Sequence, residues 1–415
     1  MGFTPVSRRQ RPSSLFYMGL GFSAAMALSA LAFSEGLAGS YMEVLTDPAI
    51  LLTDFSYVGG IAAAFLNAGL MGLLASACVY ASNEFSGLSF AAVTMCAGFA
   101  FFGKTPVTGI VIISGTIIRN YVMQKRPFED ITTALFATCM GPMVSYIAYS
   151  TPGGWPAALL SGLAAGFLVP EVASLTKRAY KGMNLYNTAF ASTIITAIAA
   201  ETMRGLGFSL EACAGPTLDY PAWIYPLLIA VFAIAGMAGY FFIPGSVDGF
   251  KKILACRCEG ADYLSTAGHG GTLLNFSLTG FILVLVPWAV LKAPLNGPLL
   301  GTIIAVSGWA ASAKKPEAML TLIGGYLAAF FISSYELTPA IAMGSLFVTG
   351  LCPLSDRLGI GYGFLAGFAH LFVVTRCSSI HGGLMLYNNG LSAGIVAIAV
   401  LALYKTLQPV KSKDL

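Results

Sequence analysis

A shift of 208 residues lays the second half of this chain on the first. Asp54 falls on Asp262, Phe55 on Tyr263, Gly60 on Gly268, Leu66 on Leu274, Asn67 on Asn275 and Gly72 on Gly280. With two residues inserted, Gly87 meets Gly297, Gly98 meets Gly308, Lys104 meets Lys314, Pro106 meets Pro316 and Gly115 meets Gly325. Pro142 and Pro353 follow. After a deletion of about ten residues the shift becomes 201. Gly162, Ala165, Gly166 and Phe167 then meet Gly363, Ala366, Gly367 and Phe368, and Gly182, Leu185, Tyr186 and Asn187 meet Gly383, Leu386, Tyr387 and Asn388. Matched Leu, Val and Ile would follow from composition alone. Matched Asp, Asn, Lys-x-Pro and Leu-Tyr-Asn do not. The chain must therefore fold as two like units, a first over residues 1–205 and a second over 222–415, joined by an exterior linker at 206–221.

What each unit is made of follows from hydropathy. The 415 residues are 57% hydrophobic and 10% charged, with a mean hydropathy of +0.78, whereas a soluble chain carries about a quarter charged residues. Windows of about 20 apolar residues suit an all-α, polytopic integral membrane protein. About 14 such segments are expected, near 14–34, 57–80, 85–102, 107–124, 131–149, 154–173, 184–202, 222–243, 268–290, 296–312, 317–334, 338–353, 358–376 and 384–404, some of them re-entrant. Arg8, Arg9, Arg11 and Ala30-Leu31-Ala32 give the first segment a signal-peptide flavour. Its apolar run is long for that purpose, and it pairs with the eighth segment.

Seven segments per half is an odd number, so the two halves are expected to enter the membrane in opposite orientations, as two inverted seven-helix repeats. A cytoplasmic N-terminus puts all the Lys and Arg residues on the cytoplasmic side except Lys104, Arg204, Lys292 and Arg376, the distribution that positive charge favours. Both termini are expected in the cytoplasm, and the chain in the cytoplasmic membrane. Inversion puts Lys104 outside and its counterpart Lys314 inside, each expected as a solvated loop charge.

An amide in hydrocarbon needs partners. Asn67 and Asn275 lie inside apolar segments and serve either a polar solute or a helix–helix hydrogen bond. Asn187 and Asn388 follow glycines that permit a backbone break, so each caps the helix that starts there or faces a solute. Tyr186 and Tyr387 either line a cavity or join an interfacial aromatic belt. These six residues are the candidate substrate contacts. Asp54 and Asp262 precede long segments and suit helix capping or cation neutralisation, and His370 lies well inside a segment and suits packing or a proton relay. Those three are candidates for gating or proton transfer. Glu171 and Arg376 lie near segment ends, where they gate or snorkel.

No H-E-x-x-H sequence occurs, and no enzymatic activity is expected. No metal and no cofactor is expected. Cys256-Arg257-Cys258 is read as two incidental thiols, and Cys213 stands alone in a loop. A net charge of +4 calls for no nucleic-acid partner. The expected partners are the lipid bilayer and a small-molecule solute, with a homo-oligomer as an open alternative to a monomer.

The repeated Gly-x-x-Leu-Tyr-Asn segments resemble an uncharacterised bacterial family of multi-pass membrane proteins over nearly the full length. Asn67-Ala68-Gly69-Leu70-Met71-Gly72 and Leu185-Tyr186-Asn187 also resemble, over a small part of the chain, the Asn-Pro-x-x-Gly and Tyr-Asn-Gly segments of bacterial urea transporters. Ala68 and Phe276 replace the Pro of that pattern, and Thr188 and Asn389 replace its Gly. This second resemblance implies a small polar solute. The sequence thus points to a transporter or channel, passive or ion-coupled, with its pathway where the repeats meet. The alternative is a structural or assembly membrane protein without transport activity.

Overall fold

Aspartates open the two longest kinked helices in the same way. The Asp54 carboxylate accepts from the Ser56 N–H at 2.8 Å, and that of Asp262 accepts from the Leu264 N–H at 3.2 Å. Both helices kink at the matched glycines Gly60 and Gly268. The computed structural model describes residues 10–32, 35–210, 214–257 and 261–407. Arg8, Arg9, Cys213, Cys258, Lys411 and Lys413, which entered the sequence argument, lie outside the described residues.

The first half runs α1 (Ser14–Ala32), α2 (Leu37–Thr46), α3 (Phe55–Ser82), α4 (Gly87–Phe99), α5 (Pro106–Val122), α6 (Ile131–Ala137), α7 (Gly141–Ser150), α8 (Gly154–Ala179) and α9 (Asn187–Gly205). The second runs α10 (Ile224–Phe242), α11 (Ser246–Ala255), α12 (Tyr263–Leu285), α13 (Gly297–Ser307), α14 (Pro316–Ile332), α15 (Pro339–Phe347), α16 (Cys352–Leu358), α17 (Ile360–His381) and α18 (Asn388–Leu407). Among the described residues the only extended pairings are two isolated bridges. The protein is an all-helical membrane protein.

Eight helices among the described residues are long and apolar enough to cross a bilayer, fewer than the fourteen segments expected from hydropathy. Four further apolar helices, α4, α5, α13 with its 3-10 extension, and α14, are shorter. Length explains most of the gap. The 13 residues of α4 rise only about 20 Å against a hydrocarbon core of about 30 Å. A hydropathy window counts such a half-length helix as a crossing.

The short helices are the most buried. Nearly every residue of α4 and α13 is enclosed, and the two cross in backbone contact at Gly98 and Gly301. A Cβ on either would strike the carbonyl oxygen of the other. The periphery is the reverse: on α10, Leu227, Ile234, Phe241 and Phe242 are exposed, an apolar surface suited to lipid. The segment expected as an exterior linker is anchored at Tyr220. Tyr220 is buried, its N–H donates to Leu295 at 2.6 Å, and its hydroxyl meets that of Ser56 at 2.5 Å.

Candidate functional site

Non-helical backbone at membrane depth leaves carbonyls that hydrocarbon cannot satisfy. Two such breaks occur here, between α4 and α5 and between α13 and α14. Asn67 Nδ2 donates to the Ala100 carbonyl at 2.7 Å and the Lys104 carbonyl at 2.9 Å. Asn275 Nδ2 donates to the Ala310 and Lys314 carbonyls, each at 2.7 Å. Both amides are fully buried. Their donors hold the breaks, so a solute could reach only their oxygens. Asn67 Oδ1 accepts from Tyr41 at 3.4 Å, and Asn275 Oδ1 has no partner.

Each break carries a lysine, and here the structure corrects the sequence argument. Lys104 and Lys314 are not solvated loop charges: they are 0% and 1% exposed. Lys104 Nζ donates to Thr138 Oγ1 at 2.8 Å and stands 5.7 Å from the Phe99 ring and 5.9 Å from the Tyr387 ring. Lys314 Nζ donates to the Tyr186 hydroxyl at 2.7 Å and Thr349 Oγ1 at 2.8 Å. It lies 5.0 Å from the Tyr186 ring and 5.9 Å from the Trp309 ring. Among the described residues neither ammonium has a carboxylate within ion-pair distance. Burying an ammonium without a counter-ion costs several kcal/mol, which hydroxyls and ring faces offset only in part.

Both cages are built across the halves. Lys314 of the second half meets Tyr186 of the first, and Lys104 of the first meets Tyr387 of the second. The exchange extends to matched neighbours. The Leu185 N–H donates to Gly350 and the Leu386 N–H to Cys139, at 2.9 and 3.1 Å. Phe99 stacks on Phe347, and Trp309 on Phe136. The Asp262 carboxylate reaches back to the Gly87 N–H at 2.9 Å, and that of Asp54 bonds the Gly297 N–H and the Leu218 N–H. Asp54 and Asp262 thus act as caps that stitch the halves together.

The breaks before the Tyr-Asn pairs form as the glycines suggested. Gly182 and Gly383 take φ of +72° and +84°, a region that side chains with a Cβ avoid, and α9 and α18 start at Asn187 and Asn388. Asn187 is occupied internally. Its oxygen accepts from Thr176 at 2.9 Å and from Tyr180, and its Nδ2 donates to Ala173 at 2.7 Å. Asn388 Oδ1 pairs with His381 Nε2 at 2.6 Å, and Tyr180 and His381 are matched positions of the duplication. His370 is fully buried and lies between Asn389 and Ser392, each at 3.1 Å. Glu171 pairs with Arg119, which also binds Asp130 at 2.9 Å.

Two cavities lie at the C-terminal ends of α17 and α8. One, of about 140 Å³, is bounded by Tyr326, Thr375, Ser378, Leu386, Asn388 and Asn389. The other is an open basic hollow of about 420 Å³ bounded by Ser174, Lys177, Arg178, Lys181, Gly182 and Arg357. Ser174 and Lys177 are the counterparts of Thr375 and Ser378, so the two cavities share two matched positions. The structure therefore gathers Tyr186 and Tyr387 at the centre, places Asn388 on a cavity wall, and leaves Asn67, Asn275 and Asn187 as internal ties. The residues that sequence reasoning undervalued are the two lysines with Thr138, Thr349, Phe99 and Trp309. The usable signal was a Lys-x-Pro repeated at equal offset inside an apolar context.

A family model described as a protein of unknown function (DUF1576) matches residues 33–205 and 244–406, one segment in each half. No curated protein and no solved structure matches the chain, and the resemblance to urea transporters gains nothing from these comparisons. The chain belongs to the DUF1576 family.

Proposed function

We propose that this member of a family of unknown function is a transporter or channel for a small polar solute. It would consist of two inverted repeats, each contributing seven membrane segments with the short helices as partial crossings. Its pathway would run along the interface of the halves, passive or ion-coupled, in the cytoplasmic membrane with both termini inside. Catalysis is not part of its role. The observations that support this proposal are two cavities that share the matched positions Ser174/Thr375 and Lys177/Ser378, and a buried centre between the halves rich in polar groups. A scaffold needs no such arrangement, since unpartnered polar groups in hydrocarbon cost free energy.

Flux into proteoliposomes tests it. The purified chain should pass small polar solutes faster than protein-free vesicles do, and Ser378→Trp, which fills the 140 Å³ cavity, should slow that passage. A folded preparation that passes no solute above background overturns transport. The structural alternative, a membrane scaffold, is favoured by one observation: both Nδ2 donors of Asn67 and of Asn275, and one of the two on Asn187, are spent on protein carbonyls. Under that alternative Ser378→Trp leaves every flux unchanged.

A further inference from the structure

Resting on the transport proposal above, we propose that the solute is a small monovalent anion, held in turn beside Lys104 and Lys314. Positive charge in cytoplasmic loops is explained by membrane topology, which accounts for Lys177, Arg178 and Lys181 in the basic hollow. Topology does not account for two ammoniums sealed at the junction of the halves. A buried cation in a membrane protein is normally paired or marks an ion pathway. Here the described surroundings supply hydroxyls, aromatic rings and the thiols of Cys96, Cys139 and Cys352, and no carboxylate.

The chemistry of the cages is almost wholly that of donors. Each ammonium has three N–H groups. The described contacts of Lys104 Nζ to oxygen comprise Thr138 alone, and those of Lys314 Nζ comprise Tyr186 and Thr349. Two further buried donors have no partner among the described residues, the Tyr387 hydroxyl and the Trp309 indole N–H. Each belongs to a ring that flanks one of the lysines, at 5.9 Å in both cases. Unfilled donors around a cation are what an anion requires and what a second cation cannot use. One ammonium per cage matches a single negative charge. The 140 Å³ cavity, which reaches Leu386 next to Tyr387, suits a passenger of a few heavy atoms, the size of chloride, nitrate or formate. The basic hollow at the other matched position would concentrate such ions before entry.

The test separates this inference from the transport proposal. Proteoliposomes holding the full chain are assayed for chloride, nitrate and formate passage with the membrane potential clamped, and in parallel for urea and glycerol. The expected result is passage of the anions and not of the neutral solutes, with Lys104→Gln and Lys314→Gln each cutting the rate about tenfold or more, the loss of one charge-assisted contact. Passage of urea or glycerol without anions overturns the inference and leaves transport standing. Passage of nothing overturns both. Undiminished anion passage in the double lysine variant overturns the assignment to the cages. The wild-type solute panel decides between anion and neutral solute even where a variant fails to fold. As a second measurement, nitrate in place of a bulky organic anion at constant ionic strength should raise the wild-type unfolding temperature, and no rise counts against the inference.

Discussion

The two lysine cages are the same construction filled differently. Around Lys314 the tyrosine of the opposite half reaches the ammonium, which donates to two hydroxyls. Around Lys104 the equivalent tyrosine presents its ring but not its hydroxyl, which has no partner among the described residues, and Thr138 accepts beside the Cys96 thiol. Phe99 at one cage and Trp309 at the other are matched positions with different polarity. A duplicated frame thus supports two cages that each keep a buried donor to spare, the Trp309 indole N–H at one and the Tyr387 hydroxyl at the other. The backbone arrangement is shared, and the chemistry has diverged at single side-chain tips.

The largest expected effect tests the shared frame. Asn67→Ala and Asn275→Ala each strand two buried carbonyls, and each should cost about 2–4 kcal/mol in unfolding measured in detergent. Losses below about 1 kcal/mol for both would mean that the breaks hold without the amides. A smaller effect separates the cages. Lys314→Met should destabilise by about 1–2 kcal/mol because Tyr186 loses its partner, while Lys104→Met removes a poorly compensated charge and should be neutral or stabilising by about 1 kcal/mol. Equal costs would erase the difference between the two. The finest test is a hydroxyl. Tyr186→Phe should cost about 1 kcal/mol and Tyr387→Phe close to nothing, since only the first hydroxyl is hydrogen-bonded. The reverse order would show that the Tyr387 hydroxyl has a partner in the working protein.

The duplication, the helical membrane class and the caps at Asp54 and Asp262 were legible in the sequence because each depends on residue identity at short range. Hydropathy could not separate a crossing from a half-length helix such as α4, because composition carries no depth. The lysines were misplaced for a related reason. A charge beside a proline between two apolar runs looks like a surface loop unless the runs are known to be too short to bring it to the surface. Asn67 and Asn275 were correctly expected to need partners, but those partners, the Ala100 and Ala310 carbonyls, depend on a tertiary fit that no local pattern records.

The caps exchanged between halves also bear on how the chain is made. The N-terminus of α4 is held by Asp262, 175 residues further along. At a synthesis rate of 5–20 residues per second, the interval before that aspartate emerges is roughly 10–35 s. During it the first half has neither this cap nor the second-half carbonyl that Leu185 binds. The nascent first half therefore sits in the membrane as an unfinished template, and its buried break becomes fully ordered only when its counterpart arrives to close over it.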